Sequence, residues 1–190
     1  SRVNRQLRRY RAPDTKTQAS LPGRIMSTLR SPPKSGRFQL FHSTNKSFST
    51  FDLSKSHDFG VHFGTADQAA QRISDTGRYD ASRTIPVEVE IKNAITLTDP
   101  GFWGLTQVQQ MLEAKGFAFS PEESVAFANL NTAMKSVELP QEARARARLD
   151  AKEAIRAKLD ALGIDGIWYR NSVEGQGWSL LVWNEGQVVN

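Results

Sequence analysis

The residues best suited to chemistry lie where a short apolar run gives way to polar side chains. Phe38, Leu40 and Phe41 predict a buried strand, and the polar residues that follow begin with His42. An imidazole at a strand end can hydrogen-bond a ligand, but it can equally well satisfy a neighbouring backbone group. The residue types alone leave both interpretations open.

Composition excludes several other kinds of site. Cysteine is absent, which excludes disulfides, thiolate chemistry and metal sites built on cysteine. The three histidines, His42, His57 and His62, are too few and too scattered for a zinc site, so no metal is expected. No apolar run approaches the roughly 18 residues of a membrane span, so we expect a soluble chain with no membrane partner.

The basic charge is confined to one end of the chain. Residues 1–37 carry ten Lys and Arg residues and a single acid, whereas the rest carries 15 basic and 19 acidic residues. We therefore expect a basic, flexible arm over residues 1–36 and one domain over residues 37–190. The arm is the one feature that leaves nucleic acid open as a partner. The start at Ser1, without an apolar signal stretch, indicates a piece of a longer protein or a processed product.

The elements that must position these residues follow in a regular order. A second short strand is predicted between Phe59 and Gly64, and Thr65 with Gln68 has the form of a capping box that starts a helix, which Gly77 ends. Alternating apolar residues predict a strand ending at Ile91, with a further short strand after it. Helices follow, among them one starting at Ser120-Pro121 and a long one over 141–162 that Gly163 ends. Strands at 166–171 and 178–183 close the chain, and the tryptophans in them are expected in the core.

Several phrases in this order resemble the ADP-ribosyltransferase superfamily of the diphtheria-toxin and poly(ADP-ribose) polymerase kind. They are F-H-S-T, G-V-H-F, I-K-N-A-I-T-L-T-D, G-I-D-G-I-W-Y-R-N and S-L-L-V-W-N-E-G-Q-V. These sequence motifs are most similar to those of small phage and bacterial domains of polyvalent proteins and effectors. The resemblance covers about residues 37–188. It implies an α+β fold with two short, mainly antiparallel sheets around an NAD cleft, flanking helices, and a helical insertion at about 104–162.

The resemblance also implies an activity. Members of this superfamily cleave the nicotinamide–ribose bond of NAD and transfer ADP-ribose to a macromolecule. We therefore expect a mono-ADP-ribosyltransferase with NAD as substrate and a protein as acceptor, acting as a bacterial or phage toxin or effector. Such a protein is expected in the cytoplasm, its own or that of a target cell. An immunity or inhibitor protein would be a further partner.

Residue roles carry over by position. The strand-end histidine of the family hydrogen-bonds a hydroxyl of the adenosine ribose, and the backbone of the next residue holds the nicotinamide amide. These roles are implied for His42 and Ser43, with Thr44 beside them. His62 stands where the family has a tyrosine that packs on nicotinamide, and Phe63 follows it.

The family carboxylate near the last strand has no direct counterpart. Ser179 occupies its position in this sequence, with Glu174 five residues before it and Glu185 six after it. We favour Glu174 as the catalytic acid because its loop leads into the strand, with Glu185 as the second candidate. Asp165, at a helix–strand turn, is better explained by capping. A mechanism without a glutamate also stays open.

Two other classes of function remain open. The domain could be a degenerate NAD-fold binding module, for which Ser179 and His62 would be signs of lost catalysis. It could also be an enzyme of the same fold directed at RNA or DNA, such as an RNA 2′-phosphotransferase. That activity needs several basic residues around its cleft, and the acidic balance of residues 38–190 argues against it.

Overall fold

The computed structural model describes residues 29–44, 46, 51–52, 55–76, 83–171, 174–175 and 177–189. Within them lie seven strands and four α-helices, followed near the end by a short 3₁₀ turn at Glu185–Gln187. In chain order the elements are β1 (Gly36–Thr44), β2 (Val61–Phe63), α1 (Ala66–Thr76), β3 (Arg83–Ile91), β4 (Ala94–Leu97), α2 (Leu105–Ala114), α3 (Pro121–Lys135), α4 (Gln141–Ala161), β5 (Gly166–Arg170), β6 (Trp178–Val182) and β7 (Val188–Val189).

The strands form two small sheets. The first has the order β1-β3-β7 with antiparallel neighbours, and the second has the order β2-β6-β5-β4, in which β4 and β5 pair in parallel. The connection between these two parallel strands contains α2, α3 and α4, which is the helical insertion expected over about 104–162. The predicted α+β class with two mainly antiparallel sheets is confirmed.

The second sheet is covered on both faces. One face packs against the first sheet through aromatic and branched residues that include Phe38, Leu40 and Trp168. The other face packs against the three insertion helices, where Val108, Phe127 and Leu159 are among the buried residues. This double coverage explains why β6 is buried along its whole length.

The predicted helix boundaries agree with the structure. The Thr65–Gln68 pair forms both hydrogen bonds of a capping box in front of α1, and Ser120 does the same with Glu123 in front of α3. Gly163 has φ +68° just after α4, the left-handed conformation that glycine adopts most readily. Gly77, predicted to end α1, lies outside the described residues.

Burial along β1 corrects the prediction for one residue. Phe38 and Leu40 are fully buried, but Phe41 is half-buried and lines a cavity, because successive side chains of a strand point to opposite faces. In β5 and β6, Trp168 and Trp178 are buried as expected. His57 is exposed.

The last residues of the basic segment contact the fold. The indole of Trp168 donates to the Pro33 carbonyl at 2.9 Å, and that of Trp178 donates to the Leu29 carbonyl at 2.9 Å. Leu29 and Pro33, which belong to the segment predicted as a flexible arm, therefore make hydrogen bonds to tryptophans of the second sheet. Residues 1–28 lie outside the described part. Within the part that is described, no helix is long and apolar enough to cross a membrane.

Candidate active site

A cavity opens where the ends of β1, β2 and β6 approach the start of α1. The strands β1 and β2 are joined there by a pair of backbone hydrogen bonds between Phe41 and Gly64, both 2.9 Å long. The lining brings together residues from distant parts of the sequence: Phe41, His42, Ser43, His62, Phe63, Gly64, Gln68, Ala69, Arg72, Tyr169, Glu174 and Ser179. Six of the sequence-predicted site residues are among them.

His42 has one ring nitrogen fixed and the other available. Its Nδ1 lies 3.0 Å from the His62 carbonyl, which can only accept, so Nδ1 carries the proton. Burial lowers the pKa of His42; the backbone hydrogen bond acts in the opposite direction, and Arg72 and His62 add to the lowering. The imidazole is therefore neutral at pH 7, and its Nε2 is an acceptor for a ligand hydroxyl.

The two hydroxyl residues after His42 have local partners. Ser43 Oγ donates to the Ala69 carbonyl at 2.6 Å and so ties the end of β1 to α1. Thr44 Oγ1 accepts from the backbone N–H of Lys46 at 3.1 Å and is not part of the cavity lining. Of the pair, Ser43 lies at the cavity and Thr44 lies beyond it.

His62 is held by hydrogen bonds at both ring nitrogens. Its Nε2 lies 2.9 Å from Asp58 Oδ2, and its Nδ1 lies 2.8 Å from the Tyr169 hydroxyl. The ring also packs near Trp103, with 6.0 Å between ring centroids. Because a carboxylate only accepts, His62 Nε2–H donates to Asp58, and the hydrogen bond at Nδ1 joins the ring to the Tyr169 hydroxyl.

The two partners of His62 have perturbed acidities. Burial would raise the pKa of Asp58, but the hydrogen bond from His62 and the basic side chains nearby, His57 and Lys152 among them, act more strongly in the opposite direction and lower that pKa. For Tyr169, burial raises the pKa well above its usual range, against the effect of a hydrogen bond from Ser179. Asp58 is thus ionised and Tyr169 protonated at pH 7, so Asp58 accepts the hydrogen bond from His62 Nε2.

Glu174 is the acid that lies at the cavity. Arg72 Nη1 donates to its Oε1 at 2.9 Å, and Asn171 Nδ2 donates to its Oε2 at 3.0 Å. Asn171 Oδ1 accepts from the Glu174 backbone N–H at 2.8 Å and fixes the loop that carries the carboxylate. The same Asn171 amide lies 3.3 Å from Ser179 Oγ, which links the loop to β6.

Glu185 and Asp165 lie elsewhere. Glu185 is exposed in the 3₁₀ turn that follows β6, at the opposite end of that strand from Ser179, and it does not line the cavity. Asp165 accepts backbone hydrogen bonds from Lys92 and Asn93, both at 2.8 Å, and closes the turn between β3 and β4. Asp165 thus has a structural contact, but with the β3–β4 turn and not as a cap of the helix–strand turn in which it lies.

Several cavity residues were not singled out as site residues from the sequence. Arg72 and Tyr169 received no role, and Gln68 was identified only as a helix cap. Asp58, which does not line the cavity but holds His62, was not singled out either. Among these contacts, only the bond between Asp58 and His62 has a signal in the sequence. A spacing of four residues across a loop–strand junction can bring a carboxylate to an imidazole. Among the described residues, no group of three or more His, Asp or Glu is arranged to hold a metal.

Comparison with known proteins gives one structural likeness. No family model matches the chain, and no curated protein matches it. A chain from the crystal structure of the M. tuberculosis MbcT-MbcA toxin-antitoxin complex is similar in structure, with 12% identity, a TM-score of 0.41, and coverage of 82% of this chain and 81% of that one. A likeness with that TM-score supports no inference about function.

Proposed function

We propose that this chain is a mono-ADP-ribosyltransferase that cleaves the nicotinamide–ribose bond of NAD and transfers ADP-ribose to a macromolecular acceptor, a protein. The observation that carries the proposal is the convergence of His42, Ser43, His62 and Glu174 on one cavity, although they are up to 132 positions apart in the sequence. The superfamily resemblance assigns NAD contacts to the first three of these residues and a carboxylate to the same region.

In this proposal the cavity binds the nicotinamide end of NAD. His42 Nε2, which has no partner among the described residues, accepts a hydrogen bond from a hydroxyl of the adenosine ribose, which suits the neutral state of the ring. The backbone of Ser43 holds the carboxamide. His62 and Phe63 border the same space, and His62 is held rigid by Asp58 and Tyr169, so its ring is oriented before a ligand arrives.

The reaction breaks the bond between the ribose C1′ and the nicotinamide nitrogen. The bonding electrons leave with nicotinamide, and the ribose develops oxocarbenium character. A nucleophile of the acceptor then forms a bond to C1′ and loses its proton. Glu174 would stabilise the positive charge and align the acceptor, because a fixed carboxylate in a partly buried site stabilises a developing cation more strongly than water does.

The ion pair between Arg72 and Glu174 bears on this role. Arg72 is about half exposed, with 48% of its side chain accessible, whereas Glu174 is 22% accessible. Arg72 can therefore turn toward solvent, or toward a phosphate of NAD, more readily than Glu174 can leave its position. Glu174 would then face the ribose cation while Asn171 still holds its other oxygen.

A binding module without catalysis is the second candidate. The ion pair that neutralises Glu174 is the observation that favours it, since a carboxylate already paired with Arg72 stabilises a cation less. The RNA-directed alternative has less support in the cavity, where Arg72 is the one Lys or Arg among the lining residues.

The expected biological setting is that of a toxin or effector with an immunity or inhibitor protein as partner. This part of the proposal rests on the superfamily resemblance alone.

Labelled NAD tests the proposal directly. The purified chain is incubated with NAD that is labelled in its adenylate part, in the presence of a bacterial lysate, and protein-bound label is followed by mass spectrometry of the modified peptides. Transfer predicts label on a protein together with stoichiometric release of nicotinamide. Release without protein label would indicate an NAD hydrolase, and binding without release would indicate the binding module.

A further inference from the structure

Gln68 contains a buried hydrogen-bond donor that no group in the described structure satisfies. The side chain lines the cavity and the residue is only 2% exposed. Its Nε2 has no hydrogen-bond partner among the described residues. Buried side-chain amides are usually hydrogen-bonded, because leaving a donor unpaired away from water destabilises the fold.

The orientation of this amide is fixed by its other atom. Gln68 Oε1 accepts from the backbone N–H of Thr65 at 2.9 Å, and Ser179 Oγ lies 3.3 Å from the same oxygen. A backbone N–H can only donate, so exchanging the oxygen and nitrogen would set two donors against each other. The unpaired atom is therefore the NH₂ group.

Gly64 leaves room for the Gln68 amide. A Cβ added at Gly64 would lie 2.6 Å from Gln68 Oε1, closer than any side chain at that position allows. Glycine at position 64 thus lets the amide lie against the chain at the point where β1 and β2 meet. The capping box holds the side chain in one place from the helix side.

We infer that Gln68 is a substrate-binding residue whose NH₂ group donates a hydrogen bond to a neutral oxygen of the bound ligand. The inference rests on the proposed function and deepens it. An amide donor in a cavity that also contains the Glu174 carboxylate is suited to an uncharged acceptor, since a phosphate or carboxylate there would be less favoured. NAD offers two such acceptors near the scissile bond, the carboxamide oxygen and the hydroxyls of the adjacent ribose.

A role in helix capping alone has to be separated from binding. Gln68→Glu keeps an oxygen for the Thr65 N–H, and glutamate is a preferred residue at this capping-box position, but the donor is removed. Thr65→Ala is the matched control, because it breaks the same capping box from the other side and leaves the Gln68 amide intact. Gln68→Met, which has neither donor nor acceptor, replaces Gln68→Glu if the buried carboxylate prevents folding.

The experiment measures affinity by calorimetry for NAD and for free nicotinamide, with circular dichroism as the check on folding. We expect Gln68→Glu to weaken NAD binding by about tenfold or more, and Thr65→Ala to lower the melting temperature without a comparable loss of affinity. Loss of nicotinamide affinity as well would assign the contact to the carboxamide. Unchanged nicotinamide affinity would assign it to a ribose hydroxyl.

Other results of the same measurements would contradict the inference. A folded Gln68→Glu variant with wild-type NAD affinity would overturn the inference, and so would an equal loss of affinity in Thr65→Ala, which would make Gln68 a helix cap only. If the wild-type chain bound NAD but released no nicotinamide, the proposed catalysis would fail while the Gln68 contact could still be measured. A wild-type chain that binds neither compound would overturn both.

Discussion

Replacing Glu174 by glutamine removes one negative charge from the cavity with little change in shape. Both carboxylate oxygens now accept from donors, Oε1 from Arg72 and Oε2 from Asn171. A glutamine has a single acceptor oxygen, so one of these bonds is lost. Arg72 is the half-exposed partner and can turn to water, and we expect the remaining oxygen to stay with Asn171.

The structural cost of this change is small compared with the expected catalytic effect. A partly exposed ion pair contributes about 0–1 kcal/mol, which corresponds to a shift of a few degrees in melting temperature for a domain of this size. Loss of a charge that acts in the transition state should lower turnover by roughly 10²-fold or more, or about 2.7 kcal/mol of barrier. The two effects are therefore separable.

The assay is steady-state nicotinamide release at saturating NAD, with NAD affinity measured separately. We expect Glu174→Gln to lower turnover while affinity stays near that of the wild type, the pattern of a residue that acts on the transition state. Glu185→Gln is the comparison, because Glu185 is exposed and outside the cavity. Near-normal turnover in Glu174→Gln would reject this reasoning, and reduced turnover in Glu185→Gln would move the role to that residue.

Four further predictions follow from named contacts. His42→Ala should weaken NAD binding by about tenfold in calorimetry with the fold retained, and unchanged affinity would reject the assignment of His42. The pKa of His42 is lowered in the folded state from its ordinary 6.5, so the unfolded chain takes up a proton at a higher pH than the folded chain does. The free energy of unfolding should therefore fall as the pH drops below about 6.5. Denaturant titrations should show this fall, and it should be shallower in His42→Ala. Asp58→Asn should lower the free energy of unfolding by about 1 kcal/mol, since His62 loses a charged acceptor; no change in denaturant titration would show that this bond is not formed. Asp165→Ala removes two backbone hydrogen bonds from the β3–β4 turn and should destabilise the chain by about 1–2 kcal/mol while NAD affinity stays unchanged; a loss of affinity would mean that the turn and cavity are coupled.

The sequence predicted best those features that depend on neighbours along the chain. The capping boxes at Thr65 and Ser120 and the glycine after α4 follow from local hydrogen bonding and backbone conformation, so they were predictable. Alternation predicted the buried faces of β3 and the placement of the tryptophans in β5 and β6. Phe41 was assigned to the core because an apolar run does not itself show which residues face a cavity.

The site was only partly predictable because its contacts join residues that are far apart in the sequence. The superfamily resemblance placed His42, Ser43 and Glu174 together, but the chain pattern carried no sign of the pairing of Glu174 with Arg72, 102 positions away. The bond between His62 and Tyr169 spans 107 positions and depends on β2 and β5 both pairing with β6. The unpaired amide of Gln68 required coordinates, because the sequence shows a capping residue and not what its second atom contacts.

The most direct measurement of the central claim is the rate at which the wild-type chain releases nicotinamide from NAD, followed by chromatography against a no-protein control. The account predicts release that is linear in protein concentration and strongly reduced in His42→Ala, with that variant still folded. Binding of NAD without release above the control, or release that His42→Ala leaves unchanged, would contradict it.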